Sequence, residues 1–449
     1  MDLLERCTAE GLLVTVTPAR TGEQLLRLSL PFPAGYLTEG MGLQVTAEGA
    51  RSAAAVRVLT WHPSDGSAPR TARRALVTFP LRFGAGGAHR LVLRATEAQE
   101  FSATPFPTEV VWEDDTLAVH RHGEPWLHLR LLAPPHDASA PLTWETVEES
   151  PFYVWQRLTI ADAVWPRRIE VRMDCLGTVV AVAHLQPCEV GDGWMPDLGW
   201  ELEATAVEAR LVGDGADAVG PQGVTHSFAD GSPCRLEWQG AERWSVEHPA
   251  APHKRRGGVE VSLHSGQLAY RYWRGRLADR IPMQERAWRR AEIIVAPEHL
   301  APLTPTLQSS HVWQVDSVFW DHLYDTGSPP DVDGVLQQSL EYHHRAIDRS
   351  AAVGDDWGNV TAYSDDNPHG AVMGMNRLNH GVPIFEEGYR SGDARLLETA
   401  VAWCDNFHDL SIWWGEPGHG GTRYNNIRAM QRTPPDDDTH FMWRSNSAV

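Results

Sequence analysis

The sequence predicts a multidomain α+β protein: an N-terminal small β-barrel over residues 1–105, a central antiparallel β-sandwich over 106–300, and a partial C-terminal α/α toroid over 301–449, cut short at the end of the chain. Three observations predict it. The chain has 449 residues, more than one hydrophobic core of about 250–300 residues organises. Up to about residue 300 apolar and polar residues alternate with period two, the mark of half-buried strands. Beyond it, apolar residues recur at helical spacing.

In the first segment, Leu12–Val16 and Leu25–Leu30 are strand-like, and PFPAG at 31–35 breaks the pattern. Leu43–Ala47, Val56–Trp61 and Arg74–Phe83 resume it. Several short strands at close spacing predict a small barrel or sandwich. In the second segment, Leu127–Leu131, Ile169–Cys175 and Val259–Leu263 alternate cleanly. VGDGADAVGPQG at 212–223 and HKRRGG at 253–258 read as loops, and PEHLAPLTPTL at 297–307 reads as a linker. In the third segment, Trp313, Val315, Phe319, Trp320 and Leu323 share a helix face, as do Val335, Leu336, Leu340 and Ile347. Met373, Leu378, Val382, Phe385 and Tyr389 predict a helix kinked at Pro383. Asp393 is placed to cap a following helix that buries Leu396, Leu397, Ala400, Val401, Cys404 and Phe407. Two helices joined so tightly form an αα-hairpin, and a ring of six such hairpins makes a toroid. About 150 residues supply a few helices of ordinary length, so the chain reads as a fragment.

Composition narrows the partners. The net charge is −20, with 59 acidic against 39 basic residues. That sign disfavours a nucleic-acid face or an anionic membrane surface, but leaves room for an acidic sugar in a local basic pocket. Lys254 is the only lysine, so a carboxylate clamp here is built from Arg, His or amides. The five cysteines are scattered with no CxxC pair, which argues against a disulfide framework or a zinc cluster. MDLLERCTAEGLLVTV lacks the pattern of a signal peptide, so the reading is cytoplasmic, or secreted if the start is misassigned. No apolar run approaches the roughly 20 residues of a membrane span. The sequence leaves the oligomeric state open.

Chemistry-bearing residues concentrate after residue 350, in GDDWGNVTAYSDDNPHG (354–370), MNRLNHG (375–381) and the stretch from Trp413 to Arg444. Long polar loops rich in His, Tyr, Asn, Arg and Trp are where a rigid scaffold displays function. Removing the C5 proton of a uronate requires neutralisation of the neighbouring carboxylate, then a base and an acid. Asn379, His380, Arg423 and Tyr424 form such a set. Arg423 and Asn379 suit the carboxylate, and His380 and Tyr424 the proton transfers. Candidate substrate contacts are Trp357, His369, Arg377, Trp414, His419, Asn425, His440, Trp443 and Arg444, with the tryptophans as sugar platforms. A hydrolase would instead need two carboxylates roughly 5–10 Å apart. Asp355, Asp356, Asp365, Asp366, Glu416 and Asp436–Asp438 offer them, although solvated turns and caps account for most. Asp365-Asp366-Asn367 offers oxygen ligands suited to Ca²⁺ without the spacing of an EF-hand, so no cofactor or metal is expected. No P-loop, GxGxxG, GxSxG or HExxH pattern is present.

Two groups of blocks carry a family resemblance. LPFPAGYLTEGMGLQVTAEG (30–49) and VLTWHPSDGSAPRTARRALVTFP (58–80) resemble the N-terminal small barrel of the exo-rhamnogalacturonan lyase-like polysaccharide lyases. GDDWGNVTAY (354–363), NRLNHGVPIFEEGYRSGD (376–393) and HFMWR (440–444) resemble the start of that family's helical toroid. The resemblance implies the order barrel, sandwich, toroid. It implies cleavage of a uronate-containing polysaccharide, rhamnogalacturonan-like, by β-elimination, with an acidic polysaccharide or oligosaccharide as partner. A hydrolase of unsaturated uronides or a non-catalytic glycan-binding protein are the alternatives.

Overall fold

The computed structural model describes residues 3–309 apart from short stretches, the longest being 98–107, 186–196, 249–256, 276–288 and 298–305. Beyond 309 it describes Gly334, Gln338, Glu341, Tyr342, His344, Arg345, Leu396, Ala400 and three short strands. The chain opens with α1 (Leu3–Glu10), followed by β1 (Leu12–Thr17), β2 (Gly22–Pro31), β3 (Met41–Ala47), β4 (Ala50–Trp61), β5 (Ala72–Phe83) and β6 (His89–Glu97). These strands and the later β23 (Thr306–Ser309) make one seven-stranded antiparallel sheet in the order β2-β5-β4-β3-β6-β1-β23. Val14, Leu26, Leu28, Val45, Val77, Phe79, Leu91 and Leu93 all enter one buried cluster, so the sheet wraps around a single core. The PFPAG turn serves that core: Phe32, Tyr36 and Leu37 are buried in it, and the Tyr36 hydroxyl donates to the Leu93 carbonyl at 2.9 Å.

Sixteen strands follow, β7 (Thr108–Glu113), β8 (Thr116–Arg121), β9 (Glu124–Leu132), β10 (Leu142–Ser150), β11 (Tyr153–Ile160), β12 (Arg167–Asp174), β13 (Val179–Leu185), β14 (Leu198–Thr205), β15 (Glu208–Val212), β16 (Ala216–Ala218), β17 (Val224–Ser227), β18 (Cys234–Gln239), β19 (Arg243–His248), β20 (Gly258–His264), β21 (Gln267–Gly275) and β22 (Arg289–Pro297). They form a nine-stranded sheet, β10-β11-β12-β13-β22-β19-β18-β15-β16, and a seven-stranded sheet, β17-β20-β21-β14-β9-β8-β7. The dry faces of the two share one core, in which Leu129, Leu158, Val171, Ala181, Leu202, Val261 and Ile293 are buried. Trp200 of β14 is fully buried there, and its indole N–H donates across to the Ala291 carbonyl of β22 at 3.1 Å. It thus fastens one sheet to the other. Beside it, Gly199 lies so close to β21 that a Cβ would stand 2.0 Å from the Tyr272 carbonyl oxygen. At the β20–β21 hairpin, Ser265 and Gly266 both take positive φ (50° and 79°), the backbone of a type I′ turn.

An ionic seam joins the first core's sheet to the sandwich. Glu148 of β10 is buried and accepts from Arg27 of β2, and from Arg57 of β4 at 2.7 Å. The Arg27 guanidinium also lies over the Tyr153 ring, 4.5 Å from its centroid.

The α+β class with a partial toroid is corrected by these elements. The described residues are almost all β, in antiparallel sheets, with α1 the one helix of named extent. Among the described residues beyond it, Gln338, Glu341, Tyr342, His344, Arg345, Leu396 and Ala400 are helical. No toroid is formed among the described residues, and the apolar positions from Trp313 to Leu323 and from Met373 to Tyr389 lie outside them. In the same part of the chain β24 (Ile412–Trp413), β25 (Gly421–Arg423) and β26 (Phe441–Met442) form an antiparallel sheet. These strands lie in or beside the stretch from Trp413 to Arg444, which reads as polar loops in the sequence; Ile, Trp, Thr and Phe there favour strands, and apolar spacing over short runs does not by itself define an architecture. Two smaller readings also change. Residues 216–218, read as loop, form β16 against β15, and the end of the stretch read as a linker forms β23 against β1.

Replacing Trp200 with Ala is expected to cost about 3–5 kcal/mol of unfolding free energy, since it opens a cavity and cuts the tie between sheets. Gly199→Ala is expected to cost at least about 1–3 kcal/mol through overpacking. Urea unfolding followed by tryptophan fluorescence checks both; an unchanged midpoint for either would contradict the packing described.

Candidate functional site

A cavity among the described residues lies on the outer face of the seven-stranded sheet of the sandwich. Register brings one outward side chain from each strand into a row. Thr225 of β17 stands opposite Glu260 of β20, and Glu260 opposite Arg271 of β21. Arg271 stands opposite Glu201 of β14, and Glu201 opposite Arg130 of β9. The four central charges alternate in sign, so each neighbour attracts the next. In the adjoining row Ser262, Ala269 and Glu203 follow one another. Small Ala269 and the Gln222–Gly223 turn leave room above the sheet. The result is a groove of about 540 Å³, lined also by Gln222, Gly223 and Thr225. That volume falls in the usual range of small-ligand sites, roughly 300–1,000 Å³.

Glu201 is the centre of the groove. Arg271 donates to its Oε1 from Nε at 2.7 Å and from a terminal nitrogen at 2.5 Å, and Arg130 donates to its Oε2. Burial alone pushes this carboxyl up, but the hydrogen bonds and charges of Arg271 and Arg130 outweigh it and hold the group below its ordinary value. Glu201 is therefore ionised at neutral pH and does not suit a general acid. With Glu203 and Glu260, three carboxylates face two guanidiniums in the lining. The groove is mildly acidic, crossed by fixed donors and acceptors, and flanked by the hydroxyls of Thr225 and Ser262.

Beneath the groove the chemistry is that of a core. Tyr270 is buried and hydrogen-bonded to His248, and burial raises its phenol well above the ordinary value. Burial likewise pushes the nearby Cys234 thiol up to about 12, which keeps it unreactive. At the sandwich edge, Asp115 Oδ1 lies 3.3 Å from His136 Nδ1 and 3.6 Å from the buried Arg167. Arg167 also donates to the Pro134 carbonyl at 2.7 Å, so this cluster ties loops together.

The residues that the sequence singles out fall elsewhere. Asn379, His380, Tyr424, Trp357, His369, Arg377, Trp414, His419, Asn425, His440, Trp443 and Arg444 lie outside the described residues, as does Asp365–Asn367. Arg423 is placed by its backbone at the end of β25, paired with Phe441 of β26. Among the described residues no group of three or more His, Cys, Asp or Glu side chains is placed to hold a metal, and no helix is long and apolar enough to cross a membrane. The groove was missed in the sequence although one signal was present. The alternation at Leu127–Leu131 already puts Arg130 on a wet face. What sequence lacks is the register that sets it beside Glu201, 71 residues away.

No protein-family model matches the chain, and no curated protein matches it. Among solved structures the chain is similar to an α-mannosidase from Enterococcus faecalis V583, with a TM-score of 0.31 and 9% identity over 68% of this chain. The match spans 45% of that enzyme, under half its length.

The Glu201 carboxyl's folded value lies below its ordinary 4.5, so its ionic contribution to stability is present above that value and lost as pH falls through the lower, folded one. Glu201→Gln is expected to melt at lower temperature than the parent at neutral pH, with the gap closing below about pH 4. Thermal melts at stepped pH check this; a gap of constant size down to about pH 3 would contradict it.

Proposed function

We propose that this chain is a carbohydrate-active protein that cleaves a uronate-containing polysaccharide, rhamnogalacturonan-like, by β-elimination. The observation that carries the carbohydrate reading is the groove over Arg130, Glu201, Arg271 and Glu260. Sugar hydroxyls both donate and accept, and a rigid strip of alternating guanidinium and carboxylate offers both at every step. The groove has the volume of a small-ligand site and a polar floor, which suits a polyol better than an apolar ligand. Its mild acidity favours the neutral sugars of a mixed polymer.

The lyase reading is supported by the sequence blocks around Trp357, Asn379 and His440 and by the chemistry of four side chains. Arg423 and Asn379 are assigned to the uronate carboxylate, whose neutralisation makes the C5 proton removable. His380 and Tyr424 divide the roles of base and acid. Elimination leaves a 4,5-double bond that absorbs in the ultraviolet, whereas hydrolysis creates none and a non-catalytic binder changes nothing.

The protein incubated with rhamnogalacturonan is expected to produce that absorbance, and His380→Ala to slow it by about 10²–10⁴-fold. Binding without any new chromophore on any uronate polymer would replace the lyase with a glycan-binding protein. Neither binding nor chromophore would defeat the carbohydrate reading.

A further inference from the structure

A second polar surface lies on the other side of the sandwich, on the outer face of β10, β11 and β12, where the first sheet meets it. Five arginines gather there around three carboxylates, the buried Glu148 and Glu170 and the exposed Glu145, which accepts from Arg157 at 3.0 Å. Arg27 and Arg57 hold Glu148. Arg157, Arg168 and Arg172 hold Glu170 at 3.5, 3.2 and 3.3 Å. The two groups are continuous: Arg27 covers Tyr153, while Arg157 and Arg172 lie over the next outward ring, Trp155, at 5.5 and 5.1 Å.

The layering of this cluster is informative. Glu148 and Glu170 are inside, at 7% and 6% exposure, while the guanidiniums stand above them, Arg172 at 36% and Arg57 at 53%. Three guanidiniums carry about fifteen N–H donors, and one carboxylate has about four acceptor sites. The donors around Glu170 therefore outnumber its own acceptor sites, and the Arg157 and Arg172 side chains are 27% and 36% exposed. Like charges also crowd here, since Arg157 adds to the burial that lowers the Arg168 value. Two further buried donors, the Tyr153 hydroxyl and the Trp155 indole N–H, have no hydrogen-bond partner among the described residues. A chain of charge −20 thus carries here a local surplus of positive charge, five arginines against three carboxylates.

We propose that this arginine surface binds the carboxylates of an acidic polysaccharide, as a docking surface separate from the groove on the opposite face. The proposal rests on the carbohydrate reading above and deepens it, because the mildly acidic groove does not itself attract a uronate. Arginine's planar fork matches a carboxylate bidentately, which fixes orientation as well as charge. The overall negative charge opposes a densely charged polymer such as a polyphosphate, while a uronate chain carries at most one carboxylate per sugar.

The test measures binding of oligogalacturonate to the full chain by titration calorimetry, at two salt concentrations. Arg172→Gln is the first variant, because Arg157 and Arg168 remain to hold Glu170. It is expected to weaken binding about 10-fold, the loss of one charge-assisted contact. Arg172→Lys keeps the charge without the fork and is expected to recover only part of it. The same oligosaccharide with its carboxylates reduced to alcohols should bind the parent more weakly, and Arg172→Gln should weaken it no further. Thermal melts show whether each variant is folded, and Arg57→Gln repeats the measurement from the other end. Unchanged oligogalacturonate binding in folded Arg172→Gln and Arg57→Gln, with Glu201→Gln weakened, would overturn the proposal and leave the carbohydrate reading standing. Equal affinity for polyphosphate would also overturn it. No binding of the parent to any oligouronate or its reduced form would overturn both.

Discussion

In β14, Leu198, Trp200, Leu202 and Ala204 point into the sandwich core, while Glu201 and Glu203 point out. That strict in–out alternation, repeated in β9, β12, β20 and β21, is the constraint on which the rest of the protein depends. A slip of one residue in any of these strands would move its whole apolar set to the wet face, so burial fixes register. Register then fixes chemistry. Because Trp200 must be inside, Glu201 must be outside, and because Leu129 and Tyr270 are inside, Arg130 and Arg271 stand on either side of it. The groove is the outer consequence of the packing beneath it.

The two carboxylates at the seam show how an acidic, lysine-poor chain manages buried charge. Glu148 and Glu170 are both held by more than one guanidinium. Taking such groups out of water costs several kcal/mol per ion before the attraction is counted, so a buried pair adds little net stability. Its value is geometric. An apolar seam would let the first sheet slide on the sandwich, whereas Arg27 and Arg57 meeting on one carboxylate define a single docking position.

Period two made some of the half-buried strands legible, while others, such as β18, went unread. Leu12–Val16 and Leu25–Leu30 stand in β1 and β2, and Ile169–Cys175 in β12 up to its last residue, Asp174, because alternation records the two environments directly. Three further things were not legible. Helix α1 is short, and its clearest signal is Gly11, whose φ of 85° and N–H bond to the Cys7 carbonyl end it. β23 is four residues long and meets its partner only through the fold. The toroid reading after residue 300 rested on apolar spacing, the Asp393 cap and the family resemblance, and the strands at Trp413, Thr422 and Phe441 fall where the sequence shows polar loops. At the groove, the sequence shows which face each charge occupies but not which charges are neighbours. The catalytic candidates around His380 were drawn from side-chain chemistry, which needs no register, and they belong to a different part of the chain.

The first sheet is completed from far away. β1 pairs with β6 on one side and with β23 on the other, joining Val14 to Ser309 across about 300 residues of intervening chain. On a ribosome adding about 5–20 residues each second, the first strand made waits for a partner that emerges only after the sandwich. Until then β1 is an exposed edge, open to pairing with any passing strand. The contact of greatest sequence separation in this sheet therefore closes after the sheet's other pairings, and the sandwich acts as the spacer that sets when the N-terminal sheet is finished.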